Sequence, residues 1–158
     1  MGFRKSAILL ALAAMLALPN LLHAAGAVDV SADSFESIDA EHKTIFRGNV
    51  VAIRPTDTTK SDEMTITSGD EKQADGKVKS VTKTVECKGN VTITTKDAVI
   101  TGDLCNLDVQ HDKLVVSGAI VTLTQGLTVL KGKQLNVDLK TNHIQMTGGR
   151  VNGNFVPN

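Results

Sequence analysis

From Gly102 to Gly118 the chain reads GDLCNLDVQHDKLVVSG, and from Gly132 to Gly148 it reads GKQLNVDLKTNHIQMTG. Laid over each other at an offset of 30 residues, the two stretches match glycine with glycine at both ends, Asn106 with Asn136 and Asp108 with Asp138. Leu107, Val109, Leu114 and Val116 then fall on Val137, Leu139, Ile144 and Met146. Apolar and polar residues alternate on both sides of a short polar centre, which is the pattern of two half-buried strands joined by a hairpin. Residues 32–48 have the same length and run into FRGNV, and residues 87–91 echo that ending as CKGNV. Each unit reads strand, polar loop, strand, glycine, with the loops at residues 40–43, 110–113 and 140–143.

Outward from these units the chain stays rich in Val, Ile, Leu and Thr, as in KLVVSGAIVTLT at 113–124 and LTVLKGKQLNVDL at 127–139. Period-two alternation and β-branched enrichment predict an all-β, antiparallel fold. The glycines interrupt strands rather than loops. At Gly118 the apolar positions change phase, from Leu114 and Val116 to Ala119, Val121 and Leu123, which is what a β-bulge does. Repeated at Gly48, Gly89, Gly102, Gly118, Gly132 and Gly148, such bends fold a ribbon of hairpins into two facing half-sheets, though the phase change is less clear at Gly48 and Gly89.

Centring each hairpin on its loop sets cross-strand neighbours. Phe35 faces Phe46, Cys87 faces Cys105, Cys105 faces Val116, Val116 faces Leu135, and Leu135 faces Met146. These residues form one inward row, with Leu107, Val109, Val137 and Leu139 on the same face. Residues 58–83 are expected to be irregular, with the charged, glycine-bounded SGDEKQADGK at 68–77 as a long mobile loop.

The chain has 158 residues, 17 Lys+Arg against 17 Asp+Glu, two Cys, four Phe, and no Trp or Tyr. Balanced charge without stacking aromatics excludes a nucleic-acid surface. At the N-terminus Arg4 and Lys5 precede an apolar run, AILLALAAMLAL, that ends at Pro19. A helix of about a dozen residues rises about 18 Å, short of the ~30 Å hydrocarbon core. Residues 1–27 are therefore expected to be a signal peptide cleaved after Ala24, Ala25 or Ala27, with residues 28–158 as one exported domain of net charge −2. An uncleaved anchor is the competing reading.

Few residues invite chemistry. Cys87 and Cys105 lie 18 apart, and both a cross-strand disulfide and two buried thiols suit an exported chain. His42, His111 and His143 fall in matching loops and are read as solvated rather than as metal ligands. The chain has no C-x-x-C, G-x-S-x-G, H-E-x-x-H, P-loop or dinucleotide fingerprint, and its carboxylates recur only because the units recur. No enzymatic activity and no cofactor are expected.

The segment VDVSAD at 28–33, followed by TIFRGNVV at 44–51 and KSDEM at 60–64, resembles the opening of the OstA-like family of lipopolysaccharide-export proteins. The resemblance covers essentially all of the chain after residue 27 and implies an antiparallel β-jellyroll of two facing sheets, open at its ends. It implies a periplasmic carrier for lipid A acyl chains, stacking head-to-tail with itself and with the other jellyrolls of the inner- and outer-membrane export complexes. On that reading the inward row Phe35, Phe46, Val116, Leu135 and Met146, with Leu107, Val109, Val137 and Leu139, lines the groove. The edges offered to partners hold Val28, Val30 and Phe35 at one end and Met146 and Val151 at the other. Physics agrees with the chemistry: exposing acyl chain to water costs about 0.8 kcal/mol per CH₂, or roughly 10 kcal/mol for a dozen carbons. Against it stands the absence of a basic surface for lipid phosphates, since Lys43, Arg47, Arg54 and Lys60 are scattered. An anchored sister jellyroll of the same pathway and a ligand-free structural repeat module are the alternatives.

Overall fold

The computed structural model describes residues 29–55 and 57–156; the expected signal segment, and Val28 with it, lie outside them. Among the described residues ten strands follow one another: β1 (Asp29–Ser31), β2 (Ser34–Ile38), β3 (Lys43–Ile53), β4 (Asp57–Lys72), β5 (Val78–Thr95), β6 (Val99–Asp108), β7 (Lys113–Gln125), β8 (Thr128–Asp138), β9 (His143–Thr147) and β10 (Asn152–Asn154). Every pairing is antiparallel. They make one ten-stranded sheet in the order β1-β3-β4-β5-β6-β7-β8-β10, with β2 also on β3 and β9 also on β8.

That order hides a fold-over. Each ladder from β3–β4 to β7–β8 has a register break midway, at Arg47/Val50, Lys60/Glu63, Lys88/Val91, Thr101/Leu104 and Ser117/Val121. The breaks line up into a crease, so each long strand serves two half-sheets. One half runs β2-β3-β4-β5-β6-β7-β8-β9 and the other β1-β3-β4-β5-β6-β7-β8-β10. Residues of both halves, such as Val116 and Leu135 from the first and Val91 and Ile93 from the second, form one buried core.

The crease is held by a repeated clasp. Asn49 Nδ2 donates to Asp33 at 3.0 Å, Asn90 Nδ2 donates to Asp62 at 2.8 Å, and the backbone N–H of Ala119 donates to Asp103 at 2.8 Å. In the first two the chain passes through consecutive left-handed residues, Gly48 (φ +81°) with Asn49 (φ 46°) and Gly89 (φ +80°) with Asn90 (φ 47°). Asparagine is the residue after glycine that tolerates this region best.

Three expectations need correction. The segment 68–77 is not a long loop: residues 68–72 pair with residues 78–82, leaving only a turn at 73–77. This arm runs past its neighbours, so it buries no face and shows no hydrophobic alternation to read. Ala119 is exposed within the bulge, and inward pointing resumes at Val121. At Gly48 and Gly89 the phase does not change, because paired left-handed residues absorb the bend while the adjoining strands β4 and β6 shift instead.

Candidate functional site

The inward row is continuous from one edge of the first half-sheet to the other. Direct cross-strand partners run Phe35, Phe46, Met64, Cys87, Cys105, Val116, Leu135 and Met146. All but Met64 were legible in the sequence. The facing row of the second half-sheet runs Val30, Ala52, Thr59, Ile93, Ile100, Leu123, Leu130 and Gly153. The centre is filled by its own side chains: Val116, Val121 and Leu135 are 0% exposed. Leu107, Val137 and Leu139 are buried beside them, and Val109 packs half-buried against them.

The row opens at its ends. Phe35 is 64% exposed, touching Phe46 with ring centroids 5.6 Å apart, because β2 is an edge with no further strand to cover it. Met146, on the opposite edge, is half-buried. Val30 sits in β1 opposite Ala52. Val151, expected in the last strand, instead lies in the break between β9 and β10, where Gly148 and Gly149 (φ 85° and 102°) carry the chain round the crease. Among the described residues, no backbone hydrogen bond joins the free margins of the two half-sheets.

Cys87 and Cys105 face each other, buried, as free thiols rather than a disulfide. Hydrogen bonding with Cys105, and then burial, push the Cys87 thiol well above its ordinary range. The three loop histidines occupy unlike positions. His42 takes the left-handed place that Asp112 and Asn142 take in the other loops, His111 precedes that place, and His143 opens β9. The His111 ring meets Asp108 at 2.7 Å and holds that carboxyl below its usual value.

Charge sits almost wholly outside. Arg47 bonds Glu36 and Glu63 at 2.7 and 3.0 Å on the outer face, Lys43 meets Glu41 at 2.8 Å, and Lys60 is exposed. An outer cleft of about 250 Å³ is lined by Glu63, Glu86, Lys88 and Asn106 together with Leu104 and Val115. Among the described residues, one charged pair is the exception and lies inside. Arg54 (9% exposed) and Asp57 (5%) share the inward parity of β3 and β4 and form a two-pronged pair, Nε to Oδ1 at 3.1 Å and Nη2 to Oδ2 at 2.7 Å. Alternation did not reveal this pair, because strand parity is invisible without the register.

Comparisons with known proteins agree with this architecture. A family model described as LptA/(LptD N-terminal domain) LPS transport protein matches residues 29–143. An uncharacterized protein of Rhizobium meliloti (strain 1021) is 30% identical over 129 residues, which covers 78% of this chain and 68% of that protein. A solved structure, LptH of Pseudomonas aeruginosa, is described as the LptA homologous periplasmic component of the conserved lipopolysaccharide transport device. It matches with a TM-score of 0.69 and 15% identity, covering 84% of this chain and 96% of that one. The shared fold is the β-jellyroll.

Proposed function

The chain belongs to the family of LptA and the LptD N-terminal domain, and from that premise we propose that it is a periplasmic lipopolysaccharide-transport protein, a carrier rather than an enzyme, exported by cleavage of residues 1–27. The lipid's acyl chains lie between the half-sheets, against the row from Phe35 to Met146. One observation carries this reading: the apolar row runs without interruption from edge strand to edge strand. A purely structural sandwich needs a core but has no need for that core to surface at both ends.

Because the interior is packed, hydrocarbon enters by displacing contacts between the half-sheets, which the unbonded margins permit. The edges supply the bridge. The first half-sheet has eight strands in alternating direction, so β2 and β9 run opposite ways. A second jellyroll placed end to end therefore meets β9 with an antiparallel β2, and the row continues from Met146 to the next Phe35. The same holds for β10 and β1. Such a contact is heterologous and supports both filaments and mixed bridges to the jellyrolls of the inner- and outer-membrane complexes.

The test is photocrosslinking in cells from a probe amino acid at Phe46, Val116 or Leu135, with outward Val115 as control. Lipopolysaccharide adducts from the inward positions alone are expected. Adducts from Val115 only, or from none, would refute the groove. Mass spectrometry of the exported protein tests the cleavage.

A further inference from the structure

In the second half-sheet, β1, β3, β5, β6, β7 and β8 turn apolar or small residues inward, among them Val30, Ala52, Ile93, Ile100, Leu123 and Leu130. Only β4 differs. Its inward positions there are Asp57, Thr59 and Ser61, which are 5%, 6% and 4% exposed, and Arg54 lies beside them at the end of β3. A polar strip thus crosses an apolar surface near the β1–β2 end, and its outer limit is a charged fork one residue below the exposed Pro55.

Closing the turn between β3 and β4 does not require the fork. The backbone already closes that turn, with the Arg54 N–H donating to the Asp57 carbonyl at 2.9 Å. The neighbouring turn on the same margin closes identically, Thr95 N–H to Ala98 carbonyl at 2.8 Å, with only a threonine hydroxyl in support. Nor is stability a reason: a buried ion pair is commonly no better than an apolar pair of the same volume. What a guanidinium fork does well is grip a planar or tetrahedral oxyanion with two parallel N–H bonds.

We propose that Arg54 is the anion-binding subsite of the groove, which receives a phosphate of the lipid headgroup in place of the Asp57 carboxylate, while the acyl chains lie on the apolar strands β5 to β8. Asp57 holds the fork in position when no lipid is present. Exchange occurs at the open margin, where the released carboxylate turns to water. Of the four scattered cations named from the sequence, Arg54 alone is turned inward; Arg47 and Lys43 are taken by outer-face carboxylates and Lys60 is exposed. This deepens, and rests on, the carrier reading.

The test uses the exported protein loaded with a fluorescent fatty acid, displaced by diphosphorylated lipid A or by the same lipid stripped of phosphate. The wild type is expected to bind the phosphorylated form at least tenfold more tightly. Arg54→Met with Asp57→Leu removes the pair without leaving a lone charge, and should bind both lipids equally, at the wild-type affinity for the stripped one. Arg54→Lys should keep only part of the preference, since a point charge lacks the fork. If the apolar double variant does not fold, the neutral pair Arg54→Gln with Asp57→Asn makes the same comparison. An undiminished phosphate preference in the pair variants, or equal binding of both lipids by the wild type, overturns the subsite and leaves the carrier standing. Failure of both lipids to displace the probe from the wild type overturns the carrier and the subsite together.

Discussion

Asp62 and Asn90 are 28 residues apart in sequence and joined across the crease: the Asn90 amide donates to the Asp62 carboxylate at 2.8 Å, and that carboxylate occupies the space a Cβ on Gly89 would need. Two demands therefore fall on Gly89, a φ of +80° and room for the clasp. Gly126, with φ +59° and nothing near, carries only the first demand. Gly89→Ala should cost roughly 2–4 kcal/mol and Gly126→Ala about 1 kcal/mol, measured by urea unfolding. Equal costs would show that the clasp adds nothing.

Burial at the middle of the row makes Val116 and Leu135 the positions least able to accept charge. Val116→Asp and Leu135→Asp should each lose several kcal/mol or the fold itself, since a lone carboxylate has no partner there. Leu135→Ala should remain folded at a cost of about 3 kcal/mol. Calorimetry checks all three, and wild-type melting of either Asp variant would displace the row from the core.

Pairing through edges predicts that proline on either one weakens assembly without unfolding the domain. Val30→Pro in β1 and Gly153→Pro in β10 each disturb a short strand with one neighbour. Sedimentation velocity over a concentration series should show less self-association for both. Unchanged association of both folded variants would rule out strand pairing.

Acid should loosen the first half-sheet. Asp138 is held well below the ordinary carboxylate value, first by the Lys113 side chain and then by the Thr141 backbone N–H, and Asp108 is held down by His111. Because the folded values are depressed, the contribution is complete above the unfolded value of about 3.9 and is lost as pH falls below it. Both pairs are exposed, so the effect is small and screened by salt. The urea midpoint should fall more steeply between pH 4 and 2 for the wild type than for Asp138→Asn; identical slopes would deny the linkage.

Thiol chemistry reports the same burial. Only thiolate reacts readily, and Cys87 is pushed away from that state. In the reduced folded protein both cysteines should alkylate far more slowly at pH 8 than in urea. A bridge formed by oxidation would instead give a mass two hydrogens lower and add roughly 2–4 kcal/mol.

Much of this was readable because the units repeat. The matched glycines and aspartates around Gln110 and Lys140 located the hairpins β6–β7 and β8–β9, and with them the pairings of Cys105 with Val116 and Leu135 with Met146. Phe35 with Phe46 and Cys87 with Cys105 followed from the same centring. Met64 and the arm were missed together, since β4 belongs to no repeat and its alternation is broken by Asp57, Thr59 and Ser61 turned inward. A polar residue on the inner face looks in sequence like one on the outer face until the register is known. Phe35 shows the converse: its parity is inward, yet position at an edge leaves it exposed.

The strand count of the half-sheets bears on how such a molecule can change size. A duplicated hairpin, the unit whose length is the spacing between Gly102 and Gly132, adds one strand running each way. The two rims keep opposite polarity, so the antiparallel pairing between copies proposed above stays open to any two of them. Gaining or losing one strand would make the rims run the same way, and every junction would then have to be parallel. If copies couple through their edges as proposed above, growth of this architecture by whole hairpins would thus lengthen the groove while leaving the couplings interchangeable, so that proteins of different length remain compatible segments of one line.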